Sequence, residues 1–361
     1  MTDKDLCIRK TADREFCMNS WLMYRTVVDN TKCFVDGIKD FHVLPPTNRT
    51  PVYVSGDLEE ALRREVEAAT KKGRIALALS GGIDSAILAK MMPRGSMAYT
   101  FKCIVPGIEV EDETPMAARY AAECGLQHKI IEVYWSDMDE LSKTLIRHKG
   151  SPCHSIEVQI YKACRQAQKD GHDGIIFGES ADIVYGGMSG LLSQDRTVGN
   201  MIDRYSYVLP YKVLRNPRMI AEPYTRWEKD GYVDVHRFLN CTMYEEAINS
   251  YTNACETANL ELFMPYSKTY LATELDYARI RRGENKYMVR EIFNRLYPGW
   301  EVPKKTPMPR PLNEWMKDWQ GPIRPEFWPH CTDDMTGDQK WYVFALERFL
   351  NMLDNGEYNK L

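Results

Sequence analysis

From residue 56 to residue 187, short apolar runs alternate with amphipathic stretches. The segment after Gly56, DLEEALRREVEAATKKG, reads as a helix. Its acidic residues come first and its basic residues last, which complements the helix dipole. Ile75–Leu79 (IALAL) is a continuous apolar run of the kind a strand shows when both of its faces are covered. Met97–Val105 reads as a second strand, His128–Trp135 as a third and Gly174–Phe177 as a fourth. Between them lie helical stretches: ETPMAARYAAECG, with Met116, Tyr120 and Cys124 on one face, and segments near 137–148 and 156–170. This alternation predicts an α/β fold, a doubly wound parallel sheet with helices on both sides. Beyond Gly187 the pattern is mostly helical, through segments near 237–258 and 268–297, and the last fifty residues hold Trp315, Trp319, Trp328 and Trp341. Residues 1–55 are irregular and end in VLPPTNRTPVYV. Their Trp21, Leu22, Met23 and Tyr24 suggest a segment packed on the body rather than a disordered tail. The expected organisation is therefore a packed N-terminal segment (1–55), a main α/β domain (56–312) and a C-terminal helical extension (313–361).

The sharpest chemical signal is Ser80-Gly81-Gly82-Ile83-Asp84-Ser85, set between the first strand and a helix through DSAILAKMM. Two glycines let the backbone turn tightly and bring amide N–H groups close to an anion. The helix N-terminus adds further donors, so phosphate is the natural ligand, and the hydroxyls of Ser80 and Ser85 extend the donor set. No lysine follows the second glycine, so this is not the GxxxxGK[ST] loop. Asp84 repels phosphate unless a divalent cation lies between them, which implies Mg²⁺. The alternative is a Gly-Gly turn with Asp84 as a helix cap. A second segment, Gly178-Glu179-Ser180-Ala181-Asp182-Ile183-Val184-Tyr185-Gly186-Gly187, follows the fourth strand. It puts Asp182 at the carboxyl end of a strand, where open α/β sheets bind ligands, so that Asp84 and Asp182 can hold Mg²⁺ together. Glu179 is placed to orient a nucleophile or take its proton.

SGGIDS resembles the pyrophosphate loop of the PP-loop ATP pyrophosphatases, and the Gly-Glu…Asp…Tyr-Gly-Gly segment narrows the likeness to the asparagine synthetases. The resemblance implies ATP and Mg²⁺ as cofactors. It places the nucleotide beside Ser80, Gly81, Gly82, Asp84, Ser85 and Gly178, and beside Cys103 at the end of the second strand, where a plain buried thiol is an equal alternative. EDETPMAARYAAECG is similar to the family's acidic-start helix. Gly283-Glu284-Asn285-Lys286-Tyr287-Met288-Val289-Arg290 is similar to the segment with its active-site lysine, which implies that Lys286 stabilises charge in the transition state. Lys304 and Lys305 fit either a pyrophosphate exit or a flexible loop. Three positions depart from the pattern. Residue 2 is Thr and the N-terminal segment is too short for the family's usual glutaminase domain, so glutamine hydrolysis within this chain is not expected. Ile183 and Ser267 stand where the family usually carries acids, which detaches the substrate from aspartate in particular.

The implied activity is an ATP-dependent ligase. It adenylates a small-molecule carboxylate and joins it to ammonia or an amine, with a separate ammonia-supplying chain as one source of nitrogen. A sulfur-transfer enzyme and a non-catalytic nucleotide binder are the alternatives. A net charge of -4 argues against a nucleic-acid partner. No window approaches the ~18 uninterrupted apolar residues of a membrane span, and no apolar leader opens the chain. Ten cysteines without CxxC spacing read as reduced cytoplasmic thiols. His148, Cys153 and His154 lack a second ligand pair, so zinc is not expected.

Overall fold

The computed structural model describes residues 10–39, 43, 46–304 and 308–358. At its centre is a five-stranded parallel sheet. The strands are β1 (Ile75–Ala78), β2 (Met97–Cys103), β3 (Gln127–Val133), β4 (Gly174–Ile176) and β5 (Glu261–Phe263). In space they run β5-β4-β1-β2-β3. Every residue of β1 and β4 is buried, as their continuous apolar sequences require. Leu77 pairs with Ala98 on one side and Ile176 on the other, which fixes the register at the middle of the sheet.

Helices cover the sheet in two groups. α1 (Ser55–Thr70), α2 (Ile83–Ala89), α3 (Thr114–Cys124) and α7 (Tyr287–Leu296) pack around one another. α4 (Trp135–Lys149), α5 (Ser155–Lys169) and α6 (Tyr244–Thr257) form the second group. On α3, Tyr120 and Cys124 are buried and Met116 packs against the core, as the four-residue spacing requires. Among the described residues no helix is long and apolar enough to cross a membrane.

Three elements differ from the sequence expectation. The stretch after Gly187 is not purely helical, because Glu261–Phe263 supplies the fifth strand. It is three residues long and runs straight into Pro265, so no period develops. Gly174 makes its pairing possible: a Cβ there would lie 2.7 Å from Phe263 Cε2 and 2.8 Å from the Glu261 carbonyl oxygen. Between 265 and 297 a short strand, Thr269–Leu271, and a helix, Tyr277–Arg281, separate a 3-10 turn from α7. Near the N-terminus, Arg14–Tyr24 forms a regular helix, capped by the Asp13 side chain and ended by Arg25 in the left-handed conformation.

That helix is anchored from within. Trp21 Nε1 donates to the Tyr342 carbonyl at 3.0 Å, on the long helix Gly337–Asp354. Arg25 is buried: its Nη2 lies 2.8 Å from Glu246 Oε2 on α6, its Nη1 lies 2.8 Å from His154 Nε2, and its guanidinium stacks 3.8 Å from the Tyr207 ring centroid. Breaking such a pair leaves a charge without compensation in a low-dielectric interior. Arg25→Met is expected to lower the unfolding free energy at pH 7 by about 3–5 kcal/mol. Adding Glu246→Gln should recover much of the loss in urea titration, and an unchanged midpoint for the single variant would contradict this account.

Candidate active site

β1 stands in the middle of the sheet, with β2 and β3 on one side and β4 and β5 on the other. The winding therefore reverses between β1 and β4. In open α/β sheets the ligand crevice opens at this point, outside the carboxyl ends of the strands. Both sequence motifs start there, SGGIDS after β1 and the Gly178–Gly187 segment after β4. Gly178 lets them meet: a Cβ at this residue would lie 3.1 Å from the Ser85 amide nitrogen and 3.2 Å from the Asp84 carbonyl carbon.

The serines of the loop bond mainly to the loop itself. Ser80 N–H donates to Ser85 Oγ at 3.0 Å, the two hydroxyls lie 3.0 Å apart, and Gly82 N–H donates to Ser80 Oγ at 3.1 Å. These bonds hold the turn in shape before any ligand arrives. Asp84 does not cap the helix. Gly82 is the N-cap of α2, and Asp84 sits in its first turn with its carboxylate turned to Lys286. Buried Tyr266 donates to the Asp84 carbonyl at 3.2 Å and Tyr297 to that of Ala86 at 2.7 Å, which fixes α2 from two sides.

Lys286 joins the two motifs. Its Nζ lies 2.9 and 2.6 Å from the Asp84 carboxylate oxygens and 3.0 Å from Asp182 Oδ1, with only 7% of its side chain exposed. Burial pulls the ammonium pKa down, but the charges of Asp84 and Asp182 outweigh it and hold the pKa above the ordinary lysine value. Lys286 is also one of six non-glycine residues at positive φ among the described residues, at 51°, immediately before α7. Such strain at a functional position persists only when its surroundings over-determine it. Gly187 shapes the other wall: a Cβ there would overlap Asp182 Oδ1.

Glu179 accepts from the Ser180 amide at 2.8 Å and from the hydroxyl of buried Tyr251. Burial raises its pKa, with Asp182 and Glu246 adding to the rise and the two hydrogen bonds opposing it. Ser180 itself has φ 76°, and its buried hydroxyl has no hydrogen-bond partner among the described residues. Cys103 is buried at the end of β2, its thiol donating to the Pro309 carbonyl at 3.3 Å. Burial pushes its pKa up to about 12. Ser267 is buried and donates to the Met264 carbonyl at 2.7 Å, so it serves the local turn, and Ile183 is a core residue. Lys304 is exposed, while Thr2, Cys7 and Lys305 lie outside the described residues. Among the described residues no group of three or more His, Cys, Asp or Glu is placed to hold a metal, and His154 is instead engaged with Arg25 and Tyr342.

The sequence reading passed over Glu113. This residue precedes α3, is half-buried, and packs its Cβ and Cγ against Gly81 of the loop. Its pKa is pushed up to about 7 by burial and then by Glu111. The only signal was the EDET run, in which Glu113 is not distinguished from its neighbours.

Two carboxylates on adjoining strand ends, already gathered around one cation, fit a divalent ion that takes its remaining ligands from phosphate oxygens and water. A doubly wound parallel sheet with SGGIDS at its switch point is the architecture of the PP-loop ATP pyrophosphatases, enzymes that use ATP. Within that class the chain belongs to the asparagine synthase family, whose model matches residues 57–326. No curated protein matches it in sequence. Among solved structures it is similar to an NH3-dependent NAD synthetase from Campylobacter jejuni, with 17% identity over 37% of this chain and a TM-score of 0.25. The match spans 61% of the length of that synthetase. It is also similar to the U34-tRNA thiolase NcsA from Methanococcus maripaludis, with 14% identity over 70% of this chain and 82% of that one and a TM-score of 0.29. An NMN synthetase from Francisella tularensis gives 12% identity over 71% and 99% of the two chains, with a TM-score of 0.28.

Gly187→Ala tests the wall behind Asp182. The added methyl group displaces the carboxylate from Lys286, and a shift of that kind typically lowers turnover about a hundredfold. Pyrophosphate release from ATP should fall accordingly while the circular dichroism spectrum stays unchanged. Wild-type turnover in this variant would mean that Asp182 is not held where the activity needs it.

Proposed function

We propose that the protein activates a small-molecule carboxylate as an acyl-adenylate and transfers the acyl group to ammonia or an amine, releasing AMP and pyrophosphate. The observation that carries this reading is Lys286 held between Asp84 and Asp182 at the mouth of the SGGIDS loop. The family match supports it. Gly81 and the first turn of α2 supply amides for the phosphates, within a turn held by Ser80, Gly82 and Ser85. Asp84 and Asp182 would hold Mg²⁺, which when bound supplies charge neutralisation for the phosphates. Lys286 adds a fixed positive charge where negative charge builds as the bond between the α and β phosphates breaks. Glu179, its pKa raised by burial and its orientation set by Tyr251 and the Ser180 amide, accepts the proton that the attacking nitrogen loses. Cys103, buried at the end of β2, would back the nucleotide side of the crevice.

The nitrogen comes from free ammonia, an amine or a separate ammonia-supplying chain. Every cysteine among the described residues is a free thiol, which supports a reducing compartment such as the cytoplasm.

The direct test is pyrophosphate release from MgATP across a panel of carboxylates, with ammonium salts, amines or glutamine as nitrogen source. Ammonium or an amine is expected to support amide formation and glutamine to fail. Asp84→Asn should abolish release and leave the fold intact. Asp182→Asn should do the same, with effects far from additive because both residues serve one cation. Near-normal turnover of Asp84→Asn in Mg²⁺ would remove the central claim.

A second test separates charge stabilisation from binding. Lys286→Ala should lower kcat and kcat/KM together by roughly 3–4 kcal/mol in barrier, with little change in ATP affinity. Lys286→Arg should rescue poorly, because a planar fork cannot place one compact charge between the two carboxylates. An alanine variant with ordinary kcat and only a raised KM would reassign Lys286 to substrate binding.

A further inference from the structure

We propose that Arg49 recognises a second, non-reacting carboxylate on the substrate, so that the acid activated here is a dicarboxylic acid. This rests on the reading that the crevice adenylates a small-molecule carboxylate.

Two arginines among the described residues bury a guanidinium nitrogen that makes no hydrogen bond, Arg25 and Arg49. Arg25 is paired with Glu246 at 2.8 Å, whereas Arg49 makes no ion pair among the described residues. Arg49 is half-buried, with its Nη1 shut off from solvent. Its Cζ lies 5.5 Å from the Tyr244 ring centroid and 6.0 Å from that of Tyr270. Two aromatic rings thus flank the guanidinium and hold it without neutralising it. A shielded cationic donor with no acceptor is costly, and an anionic ligand removes that cost.

The backbone puts this charge on the wall that ties the two motifs together. Arg49 leads into the strand Thr50–Val52, which pairs in parallel with Thr269–Leu271, Thr50 opposite Thr269. The partner strand leaves the turn Pro265–Lys268, and this stretch reaches both aspartate-bearing segments. Tyr266 donates to the Asp84 carbonyl at 3.2 Å, and Tyr185, in the segment of Asp182, donates to Thr269 Oγ1 at 2.7 Å. Tyr244, one of the two rings beside Arg49, donates to the Ser267 carbonyl at 2.9 Å. Burial raises the phenol pKa of Tyr185 and of Tyr244, and the Arg49 charge is close enough to oppose both. Lys268 and Tyr270 are exposed, so solutes reach the same corner. Ser267 brings no negative charge to this wall, its hydroxyl being turned to the Met264 carbonyl at 2.7 Å. With the reacting carboxyl at Lys286 and the aspartates, an acid that extends along the wall sets its far carboxylate against Arg49, whose planar fork matches that group. Arg49 precedes residues 57–326, the span of the family model, so the family match does not assign it.

Succinate, glutarate and adipate, each beside its monomethyl ester, separate the second charge from chain length. The measurement is kcat/KM for pyrophosphate release from MgATP by the full chain, in wild type, Arg49→Gln and Arg49→Lys. A hydrogen bond between charged groups predicts that the wild type favours at least one diacid over its ester by about tenfold to a hundredfold. Arg49→Gln should erase that preference by raising KM for the diacid, with kcat/KM for the ester and KM for MgATP unchanged. Arg49→Lys should restore part of it, since a compact ammonium keeps the charge and loses the fork. A thermal melt should place Arg49→Gln at or above the wild type, because no native ion pair is broken. A wild type that treats every diacid and its ester alike overturns the proposal. So does an Arg49→Gln variant that melts lower and loses the same factor on both substrates, since a packing residue behaves that way. A wild type that releases pyrophosphate with no carboxylate at all defeats the adenylation reading, and this inference with it.

Discussion

One ammonium shared by two carboxylates organises the crevice. Asp84, Asp182 and Lys286 lie far apart in the chain, yet their charged atoms sit within 3.0 Å contacts. Two like charges at adjoining strand ends repel, and burial disfavours the charge of Lys286. The arrangement is tolerable only as a set, which is why the surrounding residues are so constrained. Gly178 lets the two motifs touch, Gly187 leaves room for the Asp182 carboxylate, and Lys286 accepts a left-handed backbone to bring its side chain in. The same ammonium lies between the two residues proposed to hold the divalent cation.

A second buried pair does structural work away from the chemistry. Arg25 and Glu246 tie the N-terminal helix to α6, and α6 also carries Tyr251, which hydrogen-bonds Glu179. The N-terminal segment is thereby linked through one helix to the residue proposed to handle the proton. Glu246 contributes to the raised pKa of Glu179, so the pairing of Glu246 with Arg25 bears on the electrostatics of the site as well as on packing.

β1 and β4 were legible because each is a continuous apolar run, a pattern that burial on both faces imposes, and β2 and β3 because they alternate with helical stretches. The fifth was not: ELF is too short to display a strand's two-residue alternation, and its place depends on the absence of a side chain at Gly174. The loop and the Gly178–Gly187 segment were legible because their glycines and acids are consecutive in sequence. The pairing of Lys286 with both aspartates could not be read without the fold, since nothing near residue 286 names its partners. The alternative of Asp84 as a helix cap could not be set aside from sequence for the same reason: its local position suits a cap, and a distant lysine claims the carboxylate. Glu113 went unnoticed because its role is a contact across the crevice, and along the chain it is one acid among four in a short stretch.

The order in which these residues leave the ribosome matters. Asp84 and Asp182 emerge, and can be brought together by the central strands, before Lys286 has been made. During that interval the sheet has its two motifs but not the charge that lets them lie side by side. The fifth strand, Glu261–Phe263, also precedes Lys286, so the whole sheet is made before the charge that joins its two motifs. The charge pairing of the two motifs is therefore a late event of synthesis, made only when α7 brings Lys286 to the ends of the strands.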